Sequence, residues 1–328
     1  MAVVRRLETR KTWFTDGARA LRADLRARGR EDQLPSDEDW YACPLCLTTI
    51  FRIEVLEEPD PMLTEEHAPP AWSGGAVLAL TCKPCNSESG RLFDGEAHKQ
   101  HTLSRFLAGE SSEPVRAAFT IDGVTTYGDW HVTGTTGMCM FGVPKANNRA
   151  TADLMTEAMD RYVGQDAAEL RFTITPRMRI NADRARTSWI RAAYIVAFAR
   201  FGWRYIVQAA LDPMRRHFKD PASVTLPILS MAHPDADLTR REIWIIEEPT
   251  ERRCVMVVLG QHRVLLPLPD DNRSLEDLSH AWVGDHDITQ PARFSANGVQ
   301  LPWPDKPMYS LDMLPRSDQA QVPADGAH

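Results

Sequence analysis

The chain has 328 residues, a hydrophobic fraction of 43%, a charged fraction of 25% and a formal net charge of −7 at pH 7. These values are typical of globular proteins, and the length accommodates one large domain or two of ordinary size. No apolar run is long enough to span a membrane, and the first residues lack the apolar core of a signal peptide, so we expect a cytoplasmic protein. Six cysteines are too few for a disulfide scaffold in a chain of this length.

Positive charge is concentrated in two stretches, although the total charge is negative. Between Arg5 and Arg30, nine basic residues stand against three acidic ones, and a second basic stretch runs from Arg177 to Lys219. Local patches create the electric field that a phosphate backbone meets, so either stretch is a candidate for binding nucleic acid. The alternative is that both are solvated helix faces balanced by acidic segments elsewhere, and the sequence leaves the two interpretations open.

Taken from the N-terminus, the pattern predicts a basic helical segment and a linker in residues 1–39, with Thr15-Asp16 as a helix cap. A compact cysteine-rich module follows in residues 40–108. Residues 114–314 have a different character, with short strands and longer helices, and we expect a separate domain of unknown role there. The polar stretch 315–328 lacks apolar periodicity and is predicted to be a disordered tail.

The region 114–314 alternates between helical and extended patterns. Its longest apolar-periodic block, Ala182 to Phe218, predicts a helical hairpin or one helix broken at Gly202, and its aromatic residues fit a protein core better than a base-stacking surface. Two further helices are predicted at residues 150–163 and 274–282. Runs with strand character are found at residues 115–121, 124–133, 137–143, 170–175, 224–231, 242–246, 255–260 and 263–268. We therefore expect an α+β domain with mostly antiparallel strands.

Two Cys-x-x-Cys pairs, Cys43–Cys46 and Cys82–Cys85, lie in the cysteine-rich module. Each pair can present two thiolates from a tight turn, and together they provide the four ligands of a closed, structural zinc site. A module of this size has little core of its own, so metal binding would contribute to its folding. A redox function would require a thioredoxin-like context, which the sequence does not show.

A second set of residues, which could take part in catalysis, lies between and directly after the cysteine pairs. Glu66-His67 is followed by two prolines and by the glycine pair Gly74-Gly75, and Asn86 comes directly after the last cysteine. This order, from Cys43 to His98, resembles the HNH (ββα-metal) endonuclease family in its zinc-stabilised, four-cysteine form. The resemblance covers about a fifth of the chain, and it implies a small zinc-stapled ββα module fused to the larger α+β domain.

The resemblance assigns a role to each residue of this set. In that family the histidine after the acid is the general base, which implies that His67 activates a water molecule; an imidazole is partly neutral near neutral pH and suits this role. Glu66 and Asn86 would bind a catalytic Mg²⁺ or Mn²⁺ ion, whose preferred ligands are oxygen atoms. The third motif position lies on the following helix, where we favour His98 as a further metal ligand over Asp94.

The resemblance therefore implies a metal-dependent endonuclease that hydrolyses phosphodiester bonds, with DNA as the expected substrate. A role in anti-phage defence or in a mobile element, and a protein partner or self-association, are compatible with this layout. The basic residues that we expect to contact nucleic acid are Lys83, Arg91, Arg184, Arg186 and Arg191. The alternative hypothesis is a non-catalytic protein that uses the four-cysteine ribbon as a scaffold for binding nucleic acid or another protein.

Overall fold

A computed structural model of the chain describes residues 2–110, 113–133, 137–142, 146–163, 171–233, 237–269, 271–284, 296–307 and 309. Contacts divide the chain into two compact units. The first unit combines residues 1–94 with residues 186–328, and the second consists of residues 95–185. Both units contain helices and antiparallel sheets, which confirms the α+β class. Among the described helices, none combines the length and the apolar character needed to cross a membrane.

The first unit begins with one long helix, α1 (Ala2–Ala27). The expected cap at Thr15-Asp16 is wrong, because both residues lie inside this helix. The side chains that α1 buries follow helical spacing and are Phe14, Ala18 and Leu21. Nine basic residues lie between residue 5 and residue 30, and six of them form ion pairs with carboxylates. Most of the basic residues of this stretch are therefore paired with carboxylates of the protein itself.

A short ribbon and a hairpin follow α1. Strands β1 (Tyr41–Ala42) and β2 (Ile50–Phe51) pair antiparallel, and the first cysteine pair lies in the turn that joins them. Strands β3 (Leu63–Ala68) and β4 (Ala76–Cys82) form the hairpin, and helix α2 (Lys83–Ser89) begins directly after it. Helix α2 packs against both strands of this hairpin. A π-helical turn, Gly90–Asp94, ends the first part of the unit.

The second part of the first unit supplies its core. The predicted break at Gly202 is confirmed, because this residue has a φ of 74° and separates α5 (Ala182–Phe201) from the short α6 (Trp203–Ile206). Helix α7 (Asp212–Lys219) follows. The aromatic residues of this block are buried, as predicted for a core, and they are Trp189, Tyr194, Phe198, Phe201, Trp203 and Tyr205.

A five-stranded antiparallel sheet and one helix complete the first unit. The strand order is β13-β10-β11-β12-β9, with bounds β9 (Ser230–Ala232), β10 (Arg241–Glu248), β11 (Cys254–Leu259), β12 (His262–Leu266) and β13 (Asn297–Leu301). Helix α8 (Leu275–Val283) is capped by Ser274, whose hydroxyl accepts a hydrogen bond from the Asp277 amide. The strand predicted for residues 224–231 is largely wrong, because only its last two residues belong to β9.

Where the structure describes it, the second unit contains a four-stranded antiparallel sheet and the helices α3 (Gly95–Leu107) and α4 (Arg149–Asp160). Its strand order is β7-β6-β5-β8. The strands are β5 (Val115–Ile121), β6 (Val124–Thr133), β7 (Gly137–Gly142) and β8 (Phe172–Pro176). Alternate residues of β5 face a core that also contains Phe106, Trp130 and Met155.

The two units cut across the domain boundaries predicted at residues 39, 108 and 114. One division falls between a π-helical turn and α3 and the other inside α5, where the sequence offers no linker composition. The predicted tail, residues 315–328, lies outside the described residues.

Candidate functional site

The four cysteines of the two Cys-x-x-Cys pairs come together in the structure. Cys43 and Cys46 come from the turn after β1, Cys82 ends β4 and Cys85 lies in the first turn of α2. Their Sγ atoms all lie within 4.8 Å of one another. Zinc–sulfur bonds of about 2.3 Å in a tetrahedron require sulfur separations of about 3.8 Å, so the group is close to that geometry. This confirms that the cysteines can hold a metal ion.

The thiols of the cluster differ in how readily they lose their protons. Burial raises the pKa of the Cys43 thiol well above its ordinary value, whereas a hydrogen bond with Cys43 lowers the pKa of Cys82 to about 7. The four thiols therefore divide their protons unevenly, and a bound cation would keep all four as thiolates. Cys46 and Cys85 are half-buried and line a cavity of about 210 Å³, which gives small molecules access to one side of the cluster.

Asn86 connects α2 to the strand that carries the candidate base. Its Nδ2 atom donates to the Thr64 hydroxyl at 3.0 Å and to the Glu65 carbonyl oxygen at 2.9 Å. The asparagine thus fixes the backbone of β3 two residues before His67. The hairpin and helix α2 thus follow one another in ββα order, with the cysteine cluster beside their junction.

His67 is the fifth residue of β3 and is half-buried. Its electrostatic neighbour is Glu65, which α1 holds through two arginines: Arg6 Nε donates to Glu65 at 2.6 Å, and Arg10 lies 3.9 Å away. Burial opposes ionisation of Glu65, but the hydrogen bond and charge of Arg6, together with the charges of Arg10 and His67, lower its pKa below the ordinary value. The Glu65 side chain therefore lies on the face of the hairpin where the arginines of α1 are located.

Glu66 has different partners and is only 3% exposed. Its Oε2 atom accepts hydrogen bonds from the Thr81 hydroxyl at 3.1 Å and from Arg191 Nη2 at 2.6 Å. Burial raises the pKa of Glu66 despite the attraction of Arg191, and the charge of Asp94 raises it further. Arg191 is also 3% exposed, so the expectation that it contacts nucleic acid at the surface is wrong for this structure.

Two of the expected magnesium ligands make other hydrogen bonds in this geometry: Glu66 Oε2 is held by an arginine, and the Asn86 Nδ2 atom donates to β3. His98 is an exposed residue of α3 in the second unit, and its role as a further ligand stays a prediction. Asp94 accepts a hydrogen bond from the Ser188 hydroxyl at 2.6 Å. In the part of the chain that the structure describes, the four cysteines are the one group of three or more His, Cys, Asp or Glu side chains close enough to share an ion.

Comparisons of the chain with protein-family models, with curated proteins and with solved structures found no match. The case for a function therefore rests on the site itself.

The remaining basic residues named from the sequence are accessible to different degrees. Lys83 pairs with Asp60 at 2.6 Å, and Arg91 pairs with Glu88 at 2.7 Å. Arg184 is exposed in the second unit, and Arg186 is half-buried in the first. Exposed ion pairs of this kind are weak, so Lys83 and Arg91 can exchange their carboxylate partners for phosphate groups.

Three side chains that hold the candidate site were not predicted from the sequence. Thr64 and Thr81 bond to Asn86 and Glu66, and Ser188 bonds to Asp94. Thr64 lies in β3 and Thr81 in β4, and threonine is common in strands because of its β-propensity, so no local pattern distinguishes them. Ser188 lies 94 residues from its partner, and a single sequence gives no signal for such a pair.

Proposed function

We propose that the protein is an endonuclease that hydrolyses phosphodiester bonds in nucleic acid, with His67 as the general base and DNA as the expected substrate. The observation that carries the proposal is the bond from the Asn86 amide to the backbone of β3, because it joins the helix, the hairpin and the histidine into one unit. A zinc ribbon with a purely structural role would require only the four cysteines. The alternative, a non-catalytic scaffold for binding, explains the cluster but gives no role to this arrangement.

In the proposed reaction, the His67 imidazole takes a proton from a water molecule as the water oxygen attacks the phosphorus atom. The bond from phosphorus to the 3′ oxygen breaks, and the leaving oxygen takes a proton from solvent, so that a 5′ phosphate and a 3′ hydroxyl remain. Arg6 and Arg10 lie beside the same strand and share the single carboxylate of Glu65, so one excess positive charge remains there and favours an anionic substrate. No step is assigned to a magnesium ion, because Glu66 is not open to one in this geometry.

We further propose that the ion of the cysteine cluster is zinc and that its role is structural. Four thiolates in a tetrahedron suit zinc, and they leave no open position for a substrate. Metal analysis of the purified chain should give about one zinc ion per molecule, without the visible absorption of an iron–sulfur cluster.

The test is cleavage of plasmid DNA and of single-stranded RNA by the zinc-loaded full chain, with and without Mg²⁺ or Mn²⁺. We expect the wild type to cut DNA and His67→Ala to be inactive. His280→Ala is the matched control, since His280 is an exposed residue of α8 and should be dispensable. If His67→Ala cuts as fast as the control variant, His67 is not the base; if the wild type binds nucleic acid without cutting it, the scaffold alternative is correct.

A further inference from the structure

A buried arginine stands where the resemblance expects a metal ion. We propose that Arg191 is the resident counter-cation of Glu66 and that it competes with divalent metal ions for this carboxylate. The proposal rests on the proposed function only in the importance that it gives to this site. The competition between Arg191 and a divalent ion for the Glu66 carboxylate can be measured whether or not the protein is a nuclease. Glu66 would then accept a metal ion only when Arg191 leaves it.

The geometry leaves little room for both cations. Arg191 Nη2 lies 2.6 Å from Glu66 Oε2, and the side chains of the pair are 3% and 4% exposed. Thr81 donates to the same oxygen atom at 3.1 Å. Divalent ions bind carboxylate oxygens at about 2.0–2.6 Å, so an ion on Oε2 would meet the guanidinium group at close range in a poorly screened place.

The surroundings of the pair concentrate negative charge around one buried cation. Ser188 and Arg191 lie one turn apart on α5, and they hold the carboxylates of Asp94 and Glu66 respectively. The charge of Asp94 acts on Glu66, so two carboxylates share the neighbourhood of one buried cation. In addition, Arg191 Nε is buried and has no hydrogen-bond partner among the described residues. The unsatisfied buried donor is unfavourable for Arg191 in this position, and the two neighbouring carboxylates favour a cation beside them, whether that cation is Arg191 or a metal ion.

Removal of the guanidinium group should therefore create a cation site. In Arg191→Met the two carboxylates lose their buried counter-cation, and their mutual repulsion favours any dication that reaches them. We expect Mn²⁺ to bind this variant at least about tenfold more tightly than it binds the wild type, which corresponds to about 1.4 kcal/mol. The double variant Arg191→Met/Glu66→Gln should lose this gain, because it lacks the carboxylate.

The experiment measures Mn²⁺ binding to the zinc-loaded full chain by calorimetry and by the electron paramagnetic resonance signal of free Mn²⁺. Arg200→Met is the matched control: Arg200 is a buried arginine of the same helix, 1% exposed, and its replacement should leave Mn²⁺ affinity unchanged. The proposal is overturned if Arg191→Met binds Mn²⁺ no more tightly than the wild type, or if the gain survives in the double variant or equals that of Arg200→Met.

Arg191→Met leaves a buried carboxylate without its partner, so its folding must be checked by circular dichroism. If it does not fold, the wild type and Glu66→Gln decide the matter. With Arg191 in place, the loss of the Glu66 carboxylate should change Mn²⁺ affinity by less than about twofold, whereas a large loss would show that Glu66 already binds the ion. These results are independent of the cleavage assay with His67→Ala, so the two proposals can fail separately.

Discussion

Replacement of Asn86 by alanine tests whether this residue fixes the strand that carries His67. The change removes two hydrogen bonds, to Thr64 and to the Glu65 carbonyl, from a half-buried position. Each bond contributes about 1 kcal/mol net, so we expect the free energy of unfolding to fall by about 2 kcal/mol. Because β3 then loses its tether to α2, we also expect DNA cleavage to fall well beyond the small change in folded population.

Asn147→Ala provides a matched control in the second unit. The Asn147 side chain also makes two hydrogen bonds to a strand, to the amide and carbonyl groups of Tyr127 at 2.8 and 2.7 Å. Its loss should lower stability by a similar amount, about 2 kcal/mol, without a comparable loss of cleavage. Urea unfolding and cleavage rates are measured for both variants. If Asn86→Ala keeps wild-type stability, or if the two variants lose activity equally, the positioning argument is refuted.

Two other variants test the cysteine cluster and the ion pairs on α1. Cys43→Ser should lose the zinc ion and unfold the ribbon and hairpin at lower urea concentrations, whereas Cys254→Ser, at a buried cysteine of β11, should retain zinc; equal zinc contents would disprove the ligand assignment. Glu65→Gln should lower the free energy of unfolding at pH 7 by about 1 kcal/mol. Because the folded-state pKa of Glu65 is lowered, its contribution is present above the unfolded-state value of about 4.3 and is lost as the pH falls through the folded-state value. The difference between the urea curves of wild type and Glu65→Gln should therefore shrink as the pH falls below about 4.3 and vanish once Glu65 is protonated in the folded state, and a difference that stays constant with pH would contradict the pKa argument.

The sequence predicted those parts of the fold that depend on local patterns. Strands β5 and β6 have the predicted bounds, and Gly202 breaks the long helical block because its backbone adopts a positive φ. The cysteine cluster was predictable as well, since two Cys-x-x-Cys pairs at this spacing are typical of a metal site. By contrast, the strand β13 was missed because Asn297–Leu301 is short and polar.

The contacts that decide the state of the candidate site join distant parts of the chain. Glu66 and Arg191 are 125 residues apart, and nothing near either residue in the sequence indicates that they form a buried pair. The acid-histidine motif alone therefore predicted an open metal ligand, whereas the packing of α5 against the hairpin gives Glu66 an internal partner. For the same reason, a boundary inside α5 could not be read from composition, because it reflects which residues pack together.

The central claim is that His67 acts as a general base, and the single-turnover rate of DNA cleavage at saturating protein tests it most directly. The account predicts that His67→Ala lowers this rate by at least about 100-fold while DNA affinity and zinc content stay unchanged, and that added imidazole restores part of the rate. A variant that cuts within a few-fold of the wild-type rate, with no response to imidazole, would contradict it.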